Sequence, residues 1–193
     1  MTMRKPSLPP GLTRRSLVSM IGATAATLYT AAGVTPAVAA KAARAERNGR
    51  NLDKADLVVV SKSDRSMRLL RNGETLSRYR VALGWSPTGH KTRRGDGRTP
   101  EGAYILDWRN PQSRFHLSIH ISYPNRTDMA RASQNGTNPG GYIMIHGLPN
   151  DRDASDVGHP HRDWTDGCIA VTDEEMDEVW AKVDNKTGIM IFP

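Results

Sequence analysis

A chain of 193 residues in which 37% are hydrophobic has room for one domain with a sizeable core. Its formal net charge of +7 invites a polyanion as partner, but residues 1–50 hold eight Lys/Arg against one acid, and the remainder balances at nineteen of each. The excess belongs to the N-terminal segment, and no aromatic and basic residues interleave as a stacking platform requires, so nucleic acid is not indicated.

Arg4, Lys5, Arg14 and Arg15 precede an uncharged stretch from Leu17 to Ala40 that contains the small-residue site Ala37-Val38-Ala39, the layout of a secretory signal peptide. Within it, Thr13-Arg14-Arg15-Ser16-Leu17-Val18 resembles the twin-arginine export motif, and Gly22, Thr24, Thr27 and Thr30 dilute the apolar run. The sequence therefore predicts a leader over 1–39, a flexible lead-in over 40–55 and one folded domain over 56–193, exported to the periplasm or another cell-envelope space. An uncleaved leader is the alternative, and would be the protein's one contact with a membrane.

From Asp56 the pattern becomes short β-prone runs broken by turn residues: Leu57 to Val60, Ser66 to Leu70, and Leu76 to Leu83. Asn72-Gly73 between two of these predicts a hairpin. Further strands are expected at Gly102 to Trp108, Leu117 to Ser122, Tyr142 to His146, Ile169 to Val171 and Ile189 to Phe192. One helix is expected between the last two of these, because Thr172 and Glu175 form a capping box and Met176, Val179, Trp180 and Val183 share a face. The domain is mainly β, and the Gly/Pro/Arg-rich loops 84–100 and 148–165 are long enough to act as lids or substrate walls.

A single cysteine in an exported chain cannot form an internal disulfide, so Cys168 is either buried and inert or functional. It follows Gly167 at the start of a short strand, where backbone N–H groups can approach a developing oxyanion. His146 ends the apolar run Ile143-Met144-Ile145 and precedes Gly147, which places a base at a rigid strand end.

The order His146-Gly147, a spacer, then Thr165-Asp166-Gly167-Cys168, with Thr99-Pro100-Glu101-Gly102 upstream, resembles the L,D-transpeptidase catalytic domain, or YkuD family. Asp163-Trp164-Thr165-Asp166-Gly167-Cys168-Ile169-Ala170-Val171-Thr172 is similar to its YafK-like branch of murein L,D-transpeptidase and endopeptidase-like proteins. The resemblance implies a YkuD-type β-sandwich or barrel with a short C-terminal helix. It also implies peptidoglycan stem peptides as partners, a wall-linked lipoprotein as a second partner class, and chemistry without cofactor or metal. In that chemistry His146, oriented by the Gly147 carbonyl, takes the proton of Cys168, whose thiolate attacks a meso-diaminopimelate carbonyl. Gly167 and Cys168 N–H groups would hold the oxyanion, with Trp164, Thr165 and Asp166 beside the substrate. Where the commoner block has an Arg, this chain has Ala170, so a substrate carboxylate would need another cation, with Arg162, Arg109 or Arg114 as candidates.

Three alternatives stay open at this point. Water rather than an amine could resolve the thioester, giving an L,D-carboxypeptidase or endopeptidase. His159-Pro160-His161 could contribute to a metal site with His146 and Cys168. A wall-binding module without catalysis is the third.

Overall fold

The computed structural model describes residues 53–193, so the leader, the twin-arginine motif and nearly all of the lead-in lie outside the described residues. Ala55 is buried and donates its N–H to the Lys182 carbonyl at 2.9 Å.

The strands are β1 (Leu57–Ser61), β2 (Ser66–Arg71), β3 (Glu74–Arg80), β4 (Gly102–Asn110), β5 (Ser118–Ile121), β6 (Met144–His146), β7 (Ile169–Ala170) and β8 (Thr187–Phe192). The helices are α1 (Arg126–Gln134), α2 (Ala154–Val157) and α3 (Asp173–Lys182). All strands join one sheet in the order β3-β2-β1-β8-β4-β5-β6-β7. The Asn72-Gly73 turn forms as expected, with φ of 51° and 84°, the pair of left-handed residues that matches the twist of the strands it joins.

The sheet curls until its two ends meet. Beyond β3, Ala82 exchanges hydrogen bonds of 3.0 and 2.8 Å with Ala170 of β7, and Leu83 and Trp85 pair with the two sides of Thr165. This seam turns an open sheet into the barrel-like body expected from the sequence. Val58, Val60, Met67, Leu69, Leu106, Ile119, Ile145, Ile169 and Ile189 fill its interior from alternate positions of their strands.

Helix α3 covers one opening, starting on the expected capping box: Thr172 Oγ1 accepts from Glu175 N–H at 3.2 Å and Glu175 Oε2 from Thr172 N–H at 2.9 Å. Met176, Val179 and Val183 are fully buried, while Trp180 is only partly buried against the core. Helix α1 is additional. Only Asp128 and Ala132 are buried along it, too faint a stripe for a periodicity argument.

Candidate active site

β6 and β7 run parallel, with Ile145 opposite Ile169 and His146 opposite Ala170. Because side chains alternate, Met144 and His146 share the outer face of the sheet, and the register brings Cys168 beside Met144. The Met144 N–H donates to Cys168 Sγ at 3.4 Å, and Sγ lies 3.7 Å from the Tyr142 carbonyl oxygen. Cys168 and His146, the expected nucleophile and base, therefore lie two register positions apart where neighbouring strands pair.

His146 is buried, with its ring packed against Phe115 at 4.6 Å and Trp164 at 5.7 Å between centroids. Its Nδ1–H donates to the Gly147 carbonyl at 2.7 Å, the assignment that leaves Nε2 with the basic lone pair. Glycine is required next to it. A Cβ on Gly147 would meet Asp173 Oδ1 at 2.4 Å and His116 Cβ at 2.9 Å, and the same Asp173 oxygen accepts the Leu148 N–H at 2.7 Å.

The turn before Cys168 is equally constrained. Gly167 has φ +128°, and a Cβ there would lie 2.6 Å from the Arg98 carbonyl oxygen. The buried Thr165 hydroxyl accepts the Gly167 N–H at 3.1 Å and donates to the Cys168 carbonyl at 2.7 Å. The Gly167 N–H is thus already engaged.

Burial pushes the Cys168 thiol up to about 11; the Met144 N–H works against that shift, Asp166 adds to it and Lys91 opposes it. Burial likewise pushes His146 down to about 4, partly opposed by the Gly147 carbonyl and reinforced by nearby His159. Both groups rest neutral at pH 7, as a thiol beside an imidazole rather than an ion pair.

Residues 55–191 match the family described as the L,D-transpeptidase catalytic domain, YkuD. The chain belongs to this family. YafK of Escherichia coli K12, whose own L,D-transpeptidase assignment is provisional, is 31% identical over 142 residues, covering 70% of this chain and 48% of YafK. The chain thus spans about half the length of the curated relative it matches. The crystal structure of the helical cell shape determining protein Pgp2 from Campylobacter jejuni superposes with a TM-score of 0.55 at 26% identity, over 70% of this chain and 46% of Pgp2. Bd1075 of Bdellovibrio bacteriovorus shares the fold, with a TM-score of 0.50 at 23% identity over 70% of this chain and 47% of its own.

Two grooves of this YkuD domain meet at Cys168. One, of about 350 Å³, is walled by Asn110, Arg114, Phe115, His146 and Trp164. The other, of about 490 Å³, is walled by Trp85, Lys91, Arg94, Asn138 and Gly140. Tyr142 and Asp166 border both.

Of the residues singled out in the sequence, Trp164, Thr165, Asp166 and Arg114 join Cys168 and His146 in the first groove. Arg109 does not. Its guanidinium lies 3.7 Å over the Trp180 ring and donates to the Trp180 carbonyl, on the α3 side of the sheet, because the β4–β5 ladder bulges between Leu106 and Arg109. Arg162 is exposed after α2 and lines neither groove. At the expected Arg position, Ala170 is fully buried, paired on one side with His146 and on the other with Ala82, so the seam leaves no room for a long cation.

Sequence reasoning gave Lys91 and Asp96 no part in the site, although Gly89-His90-Lys91 and Gly95-Asp96 also fit the YafK-like branch. Their side chains, 3% and 6% exposed, pair at 2.8 Å, and the Asp96 carboxylate also accepts the N–H groups of Thr92, Arg93 and Arg98. This clamp shapes the expected wall loop over 84–100. A Lys-x4-Asp spacing flanked by Gly95 and Gly97 was the available signal. As for the His159-Pro160-His161 segment, His159 is buried with neither ring nitrogen hydrogen-bonded and His161 is exposed. Among the described residues no group of three His, Cys, Asp or Glu converges as metal ligands would.

Proposed function

We propose that this YkuD domain is a cysteine-dependent L,D-transpeptidase acting on peptidoglycan stem peptides that contain meso-diaminopimelate. The observation that carries the reading is the parallel β6/β7 pair, which sets Cys168 Sγ against the Met144 N–H beside a His146 locked to Gly147. As Sγ attacks the peptide carbonyl carbon, its proton passes to His146 Nε2. The carbonyl electron pair moves to oxygen, where the Cys168 N–H receives it. The Gly167 N–H joins only if the Thr165 hydroxyl turns away. Collapse expels the amine of the departing residue, which takes the proton back from the imidazolium and leaves a thioester on Cys168. An amine from a second stem peptide, or from a wall-linked lipoprotein, then attacks the thioester, and thiolate and proton return to the starting thiol.

Two grooves converging on one sulfur support transfer between two peptides, with Arg114 in one groove and Arg94 in the other available to substrate carboxylates. Resolution by water, as an L,D-carboxypeptidase or endopeptidase, is the competing outcome. Incubation with defined muropeptides, with products identified by mass, decides between them. Wild type is expected to yield a cross-linked or amine-exchanged species and Cys168→Ala none. Shortened peptides alone would make the enzyme a hydrolase, and an active Cys168→Ala would remove the mechanism.

The working location is the periplasm, reached through the leader over 1–39. Changing Arg14 and Arg15 together to Lys is expected to retain precursor in the cytoplasm, and normal export of that variant would overturn the twin-arginine route.

A further inference from the structure

A strip of side chains leads away from Cys168 across the outer face of the sheet. His120 of β5 stands opposite Met144 of β6, whose N–H touches the cysteine sulfur. The Trp108 indole stacks on the His120 ring with centroids 5.1 Å apart and planes 18° apart. The Tyr142 ring stands edge-on to the same His120 ring at 6.4 Å and 70°, and Tyr142 borders both grooves that end at Cys168. Three rings thus form a continuous surface that starts at the nucleophile.

These rings are not core. Tyr142 is 79% exposed and Trp108 38% exposed, whereas Tyr79, Tyr104 and Tyr123 are all buried. Tyr142 also holds φ +57°, a left-handed conformation unusual for a bulky residue and of the kind that collects at ligand sites. Beneath the strip, His120 Nδ1–H donates to Asp107 Oδ1 at 2.6 Å, which fixes the imidazole plane against the indole and sets a carboxylate at the strip's edge.

We infer that the strip binds the glycan strand to which the stem peptide is attached, through the flat faces of N-acetylated hexopyranose units. This rests on the wall-peptide reading of Cys168 for its substrate, but on separate residues for its site. One face of a pyranose carries polarised C–H groups that suit the negative face of an aromatic ring, while its rim of hydroxyls suits a carboxylate and an imidazole. Asp107 argues against other occupants: its charge repels a phosphate backbone, and an apolar peptide or acyl chain would desolvate it. Continuity with both grooves places a sugar on the strip while its peptide reaches Cys168.

The experiment uses the whole chain with Cys168→Ala, titrated with a β-1,4-linked N-acetylglucosamine tetramer and followed by tryptophan fluorescence and NMR. Saturable binding is expected, weakened about five- to tenfold by Trp108→Ala and by Tyr142→Ala. On the Cys168 background, Trp108→Ala is expected to raise KM about five- to tenfold for a glycan-linked muropeptide, and to leave KM for the glycan-free tetrapeptide unchanged. Absence of saturable binding, or an equal KM change on both substrates, overturns the glycan strip. Tetramer binding that is lost with Trp108 and Tyr142, in a protein that processes neither substrate, would support the strip and sink the transpeptidase reading instead.

Discussion

His146 Nδ1–H is held by the carbonyl oxygen of the very next residue, Gly147, at 2.7 Å, so in the proposed mechanism the backbone would take the orienting role that a carboxylate has in a Ser-His-Asp triad. Gly147 is in turn trapped between Asp173 and His116. Gly147→Ala must displace that carbonyl or break the Asp173 contact with the Leu148 N–H. Misplacement of a base by about 1 Å costs on the order of 10²-fold in rate, so kcat is expected to fall by about that factor while the circular dichroism spectrum is retained.

The neutral resting pair has a pH signature. With His146 near 4, the acid limb of kcat/KM is expected near pH 4 rather than near the ordinary histidine value of 6.5. With the thiol near 11, alkylation of Cys168 by iodoacetamide at pH 7 is expected to be about 10²-fold slower than that of an unperturbed thiol. Linkage gives the stability side. Between pH 6.5 and 4 the unfolded chain takes up the His146 proton first, so stability falls as pH falls, by on the order of 3 kcal/mol. Between 9 and 11 the unfolded thiol ionises first, and stability falls as pH rises. Denaturation of wild type and of His146→Ala and Cys168→Ala variants across both windows checks these slopes.

Asp96 is the centre of the groove wall. Burial opposes its charge, yet Lys91 and three backbone N–H groups hold it down to about 2, so its stabilisation is present above the unfolded value of 3.8 and is lost as pH falls through 2. Asp96→Asn strands the Lys91 ammonium, itself only 3% exposed, and is expected to cost about 3–5 kcal/mol by urea denaturation. Adding Lys91→Met to that variant is expected to recover part of the loss, since the unpaired charge is then gone.

Thr165 is tied to Gly167 and Cys168 through its hydroxyl. Thr165→Val leaves the buried Gly167 N–H without its acceptor, for an expected loss of about 1–3 kcal/mol, whereas Thr165→Ser retains both hydrogen bonds. Kinetics should follow the same order, with Ser close to wild type and Val impaired chiefly in kcat.

Strands with a clear turn or alternating pattern were legible in the sequence: Asn72-Gly73 set the first hairpin, and Thr172 with Glu175 set the start of α3. Helix α1 was not, because its cap uses Asn125 and Asp128 above a nearly polar helix whose chief buried group is a carboxylate held by Tyr104 at 3.0 Å. That Cys168 and His146 would be brought to one place was legible from residue types at strand ends, and both line one groove. Which arginine faces the groove was not: a bulge in β4 turns Arg109 towards Trp180, and no local pattern announces where a ladder will slip. Lys91 escaped for a similar reason, since burial of a lysine depends on an aspartate and a loop path that form only in three dimensions.

The two-residue strand that follows Cys168 is held on one side by β6 and on the other by the Ala82 seam, the second a contact between residues 88 positions apart in the chain. Closing so long a loop is entropically late, and a strand of this length has no local stability to hold its place alone. Catalytic competence is therefore expected to be an all-or-nothing property of the closed barrel. The Ala170 amide should exchange its hydrogen with solvent only when the whole sheet opens, which would make the thiol's chemistry a reporter of complete folding.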